Sequence, residues 1–419
     1  MILPIVELPG DIEELCQPYD SLFSKPQFLQ FERFLTGLLI TNKADIAALS
    51  EGYRMQQSYD RLHYFVSESP WDINDVLEQT VSVIKQLPQD RTFTSSGMLI
   101  LDDTLIEKYG KAMEGAGKLW DHTEHRWLDH AHNLVGLVYG NHKGIRYPLQ
   151  FELYRKEKDC GKEGIEFKTK ILIGQEMLDW ATAQGILYQT VVFDSWFFCK
   201  DIVDHVEGLG KDWVSMSKSN RLIRMGNNKI SLSDFAQSLD PDTLPTVTVE
   251  KKVYAVKSIK AHFPCLKRGK ETVRLVVCFE QEEYKTKEGE IKKRWKKPVF
   301  LVSNRKDIRP ERLIRCYQVR WSIETFYRDA KNELGLEDYQ MRNLNGIKSH
   351  WCLVFTSAVV LELIRYQVCL ERGIKRTDVS FGQLRQRAWG RSLRAIITWT
   401  INQYQQGVPP EQICMNLKI

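Results

Sequence analysis

The chain has 419 residues, 43% of them hydrophobic and 27% charged, which suits a folded protein of two or three domains and excludes a disordered chain. Its formal charge of +5 is a mild excess that neither demands nor opposes a nucleic-acid partner. Nine cysteines lie scattered without a CxxC pair, which argues against a disulfide framework or a zinc finger and fits reduced thiols in a cytoplasmic protein.

The N-terminus, "MILPIVELPGDIEELC", lacks the basic start of a secretory leader. Residues 28 to 88 read as helical throughout. "NKADIAALSE" opens on an Asn cap and buries Ile46 and Leu49. Gly52 breaks the pattern, and "MQQSYDRLHYFVSE" follows with Leu62, Phe65 and Val66 at helical spacing. Two short helices about a glycine turn are either a helix-turn-helix, whose second helix can enter a DNA major groove, or a plain helical hairpin.

The pattern then changes. "GMLILDDT" (97–104) is a short apolar run ending in two acids, read as a buried strand, and residues 105 to 131 read as a Gly- and His-rich loop. "NLVGLVYGN" and "YPLQFELYR" alternate like two strands joined by a turn at "HKG". "GQEMLDWATAQ" reads as a helix and "LYQTVVFDSW" (187–196) as another buried strand ending in an acid. From about 205 to 305 come strand patterns ("TVTVEKKVYAV", "TVRLVVCFEQ", "KPVFLVSN") and basic runs, including "KKRWKK". Helices return at 309–335, 350–371 and 380–406. The apolar stretch 351–370 carries Glu362 and Arg365, so its uncharged part is too short to span a bilayer and reads as a buried helix.

Three acids stand out. Asp103 and Asp194 end two buried strands, and Glu324 lies in the helical "YQVRWSIETFYRDAK". Carboxylates at strand ends and on a neighbouring helix can converge, and they then repel and raise one another's pKa unless a cation joins them. Mg²⁺ suits that role, because it takes oxygen ligands and binds through a few carboxylates plus substrate phosphate. Two such ions about 4 Å apart clamp the attacking and leaving oxygens of a phosphoryl displacement. At about 100° per residue, Tyr317, Glu324 and Lys331 share one helix face, with Arg320 and Arg328 a turn on either side. Those bases either grip phosphate or form ordinary i,i+4 surface pairs with Glu324.

Tyr317, Arg320, Glu324 and Lys331 together meet the pattern Y-x2-R-x3-E-x6-K in full. It resembles the signature of the insertion-sequence-four superfamily of DDE transposases. "LILDDT" is similar to that family's first-aspartate strand and "VVFDSW" to its second. The resemblance covers most of the chain and implies a mixed α/β fold with an RNase H-like catalytic core. Residues 1–92 would form a helical DNA-binding region, 93–204 and 307–345 the two parts of the core, 205–306 a β-rich insertion domain, and 346–419 a helical C-terminal tail. Asp103, Asp194 and Glu324 would hold two Mg²⁺ ions, with Mn²⁺ an acceptable substitute. Asp103 is preferred to Asp102 because the family's aspartate usually directly precedes the Thr or Ser. Strand alternation allows only one of the two to face the site.

The resemblance further implies cut-and-paste movement of a DNA element. Tyr317, Arg320, Arg328 and Lys331 would hold backbone phosphates. A base flipped at a hairpin would stack on Trp295, flanked by Lys293 and Arg294, or on Trp213; the other reading of "KKRWKK" is a solvated hairpin edge that carries lysines against aggregation. Partners would be transposon-end and target DNA, with two chains pairing two ends and no membrane involved. His122, His125, His130 and His132 are spaced too irregularly, and without cysteines, for a zinc site. Two other readings stay open: a metal-dependent nuclease that only hydrolyses DNA, and a DNA-binding protein with an inert core.

Overall fold

The structure, a computed structural model, describes residues 4–41, 43–53, 59–110, 112–267, 271–285 and 289–417. Its N-terminal helices are α1 (Gly10–Cys16), α2 (Lys25–Ile40), α3 (Ile46–Glu51), α4 (Tyr59–Ser67) and α5 (Ile73–Lys85). Strands β1 (Met98–Glu107), β2 (Gly117–Asp121), β3 (Arg126–Gly140) and β4 (Arg146–Tyr154) follow, then α6 (Glu157–Glu163), α7 (Lys170–Ala183), β5 (Thr190–Phe193), α8 (Lys200–Gly208) and β6 (Asp212–Ser217). The next block holds β7 (Leu222–Met225), β8 (Asn228–Ser231), α9 (Leu232–Gln237), β9 (Thr246–Val249), β10 (Lys252–Ala261), β11 (Val273–Lys285), β12 (Ile291–Trp295) and β13 (Val299–Ser303). The chain closes with α10 (Pro310–Gln318), α11 (Trp321–Glu333), α12 (Leu344–Arg372), α13 (Phe381–Gln405) and α14 (Pro410–Asn416).

One large sheet organises these elements. Its centre runs β3-β1-β5-β6, with β1 antiparallel to β3 and parallel to β5, and β5 parallel to β6; β4 pairs antiparallel with β3. Three antiparallel strands followed by two parallel ones form the RNase H-like core. Side-chain alternation divides the interior in two. Ile100 and Val192 pack on one face with Ile323 and Phe326 of α11 and with the buried α12. Leu99, Leu101, Val191 and Phe193 pack on the other face with Ile173 and Met177 of α7. The apolar helix α12 is long enough to cross a membrane by composition, but 83% of its most apolar window is buried inside the fold.

Several expectations meet a different structure. The stretch 105–131 is not a loop: β1 runs to Glu107, β2 occupies 117–121 and β3 starts at Arg126. The expected insertion carries its strands into the same sheet, because β13 pairs with β6 and β11, β10 and β9 continue outward from it. Near the N-terminus the expected cap Asn42 lies outside the described residues, as do residues 54–58, which include the start of the expected second helix; Gly52 ends α3 as its C-cap, and Asp45 caps the helix start by accepting the Ala48 N–H at 2.9 Å. The helix that was to carry Tyr317 and Glu324 together is two helices, broken at Val319–Arg320. There the N–H of Val319, Arg320, Ser322 and Ile323 each bond three residues back, a locally tightened 3₁₀ pattern.

Candidate active site

The parallel pairing of β1 and β5, Leu101 opposite Phe193, brings their C-terminal tips side by side, so that the acids that follow are neighbours. α11 docks over these tips. Tyr327 of α11 donates its hydroxyl proton to the Asp102 carbonyl at 3.0 Å. It lies directly over Gly136, which is opposite Asp102 in β3; any Cβ there would collide with the Tyr327 hydroxyl, so glycine is what permits the approach. Lys331, two turns on from Glu324, donates to the Leu105 carbonyl at 2.6 Å and pairs with Glu337 at 2.5 Å.

Arg320 is the hinge of the constellation. One arm of its guanidinium donates to Asp102 at 2.9 Å and the other to Glu324, one turn along α11. Burial alone would lower the Arg320 pKa, but Tyr317, Asp102 and Glu324 overcome it and hold the guanidinium charged. Asp102 is pushed up to about 7, first by burial and next by the negative charge of Asp194, with Arg320 opposing. Asp194 is raised too, chiefly by burial; the backbone N–H groups of Trp196 and Phe197 bond its Oδ1 and pull the other way, while the Asp103 charge adds to the rise. Burial pushes Tyr317 up to about 12, with the adjoining Arg320 guanidinium pulling the other way.

Asp103 departs from the expected position. Alternation turns it to the α7 face, where its Oδ2 accepts from Lys170 and from Asn133, both at 2.8 Å. Asp102 is the member of the pair joined to α11. Arg320 stands between Asp102 and Glu324 and pairs with both. Among the described residues no three carboxylate, imidazole or thiol side chains form a ready metal cage. The donor set still suits a hard divalent ion: Asp102 and Asp194 are oxygen ligands whose mutual repulsion one arginine leaves only partly cancelled.

The remaining expected residues are dispersed. Arg328 is largely exposed, within 3.4 Å of Asp329. Trp295 is half-buried and donates its indole N–H to Asp242 at 2.7 Å; Lys293 and Arg294 face Glu283 and Glu282 across the β11–β12 ladder. Trp213 is fully buried, bonded to Glu207, and belongs to the core. His132 is also core: it bonds Tyr339 at 2.7 Å and the Glu114 carbonyl at 2.9 Å.

Sequence reasoning missed a second charged centre. Glu362 of α12 is fully buried, yet three guanidiniums surround it: Arg146 of β4 at 2.8 Å, Arg365 at 2.7 Å, and Arg376. Arg146 also reaches Asp329 of α11 at 2.7 Å, so the knot ties the Glu324 helix to β4 and α12. Two charges inside an apolar run were its only trace in the sequence.

Comparison with known proteins agrees with this geometry. Residues 19–231 match the family described as DDE superfamily endonuclease, and residues 173–360 match the transposase DDE domain. The chain belongs to the DDE superfamily, whose transposases are metal-dependent enzymes acting on DNA, and it is a transposase. It is similar to the probable transposase for insertion sequence element IS701 of Microchaete diplosiphon, with 23% identity over 359 residues, 81% of this chain and 83% of that protein.

Proposed function

We propose that this chain is a cut-and-paste transposase of the insertion-sequence-four type, cleaving transposon ends and joining the freed 3′-hydroxyls to target DNA. The observation that carries the reading is the juxtaposition at the β1 and β5 tips: Asp102, charge-coupled to Asp194, is bridged through Arg320 to Glu324. Asp102, Asp194 and Glu324 would hold Mg²⁺, two ions during reaction, with Mn²⁺ also accepted. Bound there, the metal supplies an activated water and neutralises charge on the displaced oxygen.

The family resemblance favours Asp103 as the first ligand. The geometry supports Asp102, because Asp103 is already engaged by Lys170 and Asn133 on the other face of the sheet. Asp103 with Lys170 then acts as a brace for the strand tip. Arg320 is within reach of a phosphate held at the same carboxylates, and its planar fork suits a phosphate as well as a carboxylate. Tyr317 stacks near that guanidinium, 5.4 Å from ring centre to cation, and limits its swing. Lys331 and Arg328 extend the positive surface along α11. If the cut proceeds through a DNA hairpin, Trp295 is the proposed cap for the flipped base, its N–H anchored by Asp242. Two chains pairing two ends, in the cytoplasm, complete the reading.

The test is a strand-transfer assay with Mg²⁺ and a pre-cleaved end duplex. Asp102→Asn, Asp194→Asn and Glu324→Gln are expected to abolish both cleavage and joining, and Asp103→Asn to retain a measurable part of each. An inert Asp103→Asn beside an active Asp102→Asn would return the metal to Asp103. Cleavage without joining by the wild type would leave a nuclease, and undiminished activity in Glu324→Gln would remove the site.

A further inference from the structure

The flank of α11 turned away from Asp102 borders a long open groove. Its walls are the β3–β4 turn, the α10–α11 corner and the segment between α12 and α13. Two connected hollows of about 360 and 530 Å³ share Gly144, Gln318, Ser322, Arg376 and Thr377. The outer hollow carries Lys143, Arg315 and Lys375, all exposed and without an ion pair among the described residues, against the single carboxylate Glu250. The inner hollow carries Arg328 and Arg376, and among the described residues Asp329 is the only acid that lines it.

The floor of the inner hollow adds a second observation. Arg365 lines it while only 5% exposed, and its Nε has no hydrogen-bond partner among the described residues; the same holds for the Nε of Arg376. The buried knot sets three guanidiniums, Arg146, Arg365 and Arg376, against two carboxylates, Glu362 and Asp329, an excess of one positive charge. A surface meant only to be solvated would intersperse both signs. Here cations follow one another along a channel that runs beside the helix bearing Glu324.

We propose that this groove is a phosphate-backbone track for duplex DNA, carrying the duplex past the cleavage site along the α10–α11 flank. The proposal rests on the transposase reading above. A regular polyanion satisfies spaced cations in a way a compact anion cannot, and each phosphate contact releases counterions. Lys143, Arg315 and Lys375 are the outer contacts, and the arginine-rich floor supplies the positive potential beneath them.

The experiment uses the full chain and the triple variant Lys143→Ala/Arg315→Ala/Lys375→Ala, with the single variant Lys375→Glu as a second probe. Binding of a labelled transposon-end duplex is followed by anisotropy across a salt series, and capture of an unrelated target duplex is measured with the enzyme–end complex. Each lost phosphate contact flattens the slope of log K against log salt by about 0.9, so the triple variant is expected to lose about 2 to 3 of that slope. A loss in the first arm assigns the groove to end DNA. A loss confined to the second assigns it to target DNA. Lys375→Glu is expected to weaken binding in the same arm, with the thermal unfolding temperature unchanged in both variants. An unchanged slope in the first arm together with unchanged capture in the second, with the wild type active and Asp194→Asn inactive, overturns the groove and leaves the transposase reading intact. A wild type that binds neither duplex overturns both.

Discussion

Two carboxylate centres in this molecule make opposite use of arginine. Around Glu362, burial would raise the pKa, but Arg365, Arg146 and Arg376 more than compensate and hold it below its usual range. At the strand tips a single Arg320 serves Asp102 and Glu324 with Asp194 close by, and both aspartates are pushed up. In the first centre the carboxylate's own charge is fully matched by arginines, and the knot joins β4, α11 and α12. The second retains negative charge that protein groups do not fully neutralise, as a divalent-ion site requires. A buried carboxylate therefore says little by itself; whether its charge is already matched separates scaffold from chemistry.

That contrast can be broken by exchanging charge for amide in each centre. Asp102→Asn is expected to lower end cleavage by about 1,000-fold, about 4 kcal/mol of barrier, while stability above pH 7 stays level or rises because a repelled charge has been removed. Single-turnover cleavage and urea unfolding together check this, and a large fall in stability would place Asp102 with the scaffold. Glu362→Gln should do the reverse. Removing the buried acid that all three guanidiniums share is expected to lower unfolding free energy by about 3–5 kcal/mol, with loss of activity following loss of fold. A variant of near-native stability would show that the knot is dispensable.

The pH dependence of stability separates the buried histidines from the aspartate. His132 and His350 are fully buried, and burial lowers each to about 4. Their contribution is complete above the unfolded value of about 6.5 and is lost as pH falls through 4, at up to about 3 kcal/mol each. Asp102, raised to about 7, has the opposite sign: its contribution is present below about 4 and lost as pH rises through 7. The variant His132→Gln should therefore have urea midpoints less sensitive to pH between 6.5 and 4 than those of the wild type; an unchanged pH dependence would contradict the assigned burial. The smallest effect belongs to the exposed ladder pairs. Lys293→Ala and Arg294→Ala should each shift stability by about 0.5 kcal/mol or less, and a larger change would give those residues a structural role.

Much of the core was legible because β1, β5 and α7 announce themselves through buried runs and helical spacing. The tips were legible because acids directly follow apolar residues there. What the sequence could not supply was phase. Asp102 and Asp103 are adjacent, and choosing between them requires knowing which face of β1 meets α11; that is set by Gly136 and Tyr327, far away in the chain. The break at Val319–Arg320 escaped notice because no glycine or proline marks it. The Glu362 knot draws its arginines from positions 146, 365 and 376, and no local pattern links them. The sheet's extension through β13 likewise depends on long-range pairing with β6.

The central claim, a divalent-ion site at the β1 and β5 tips, is tested most directly by Mn²⁺ binding followed by electron paramagnetic resonance in the presence of end DNA. The wild type and Asp103→Asn should bind saturably, and Asp102→Asn and Asp194→Asn at least about tenfold more weakly, about 1.4 kcal/mol. Equal Mn²⁺ binding by the wild type and Asp194→Asn would contradict the account.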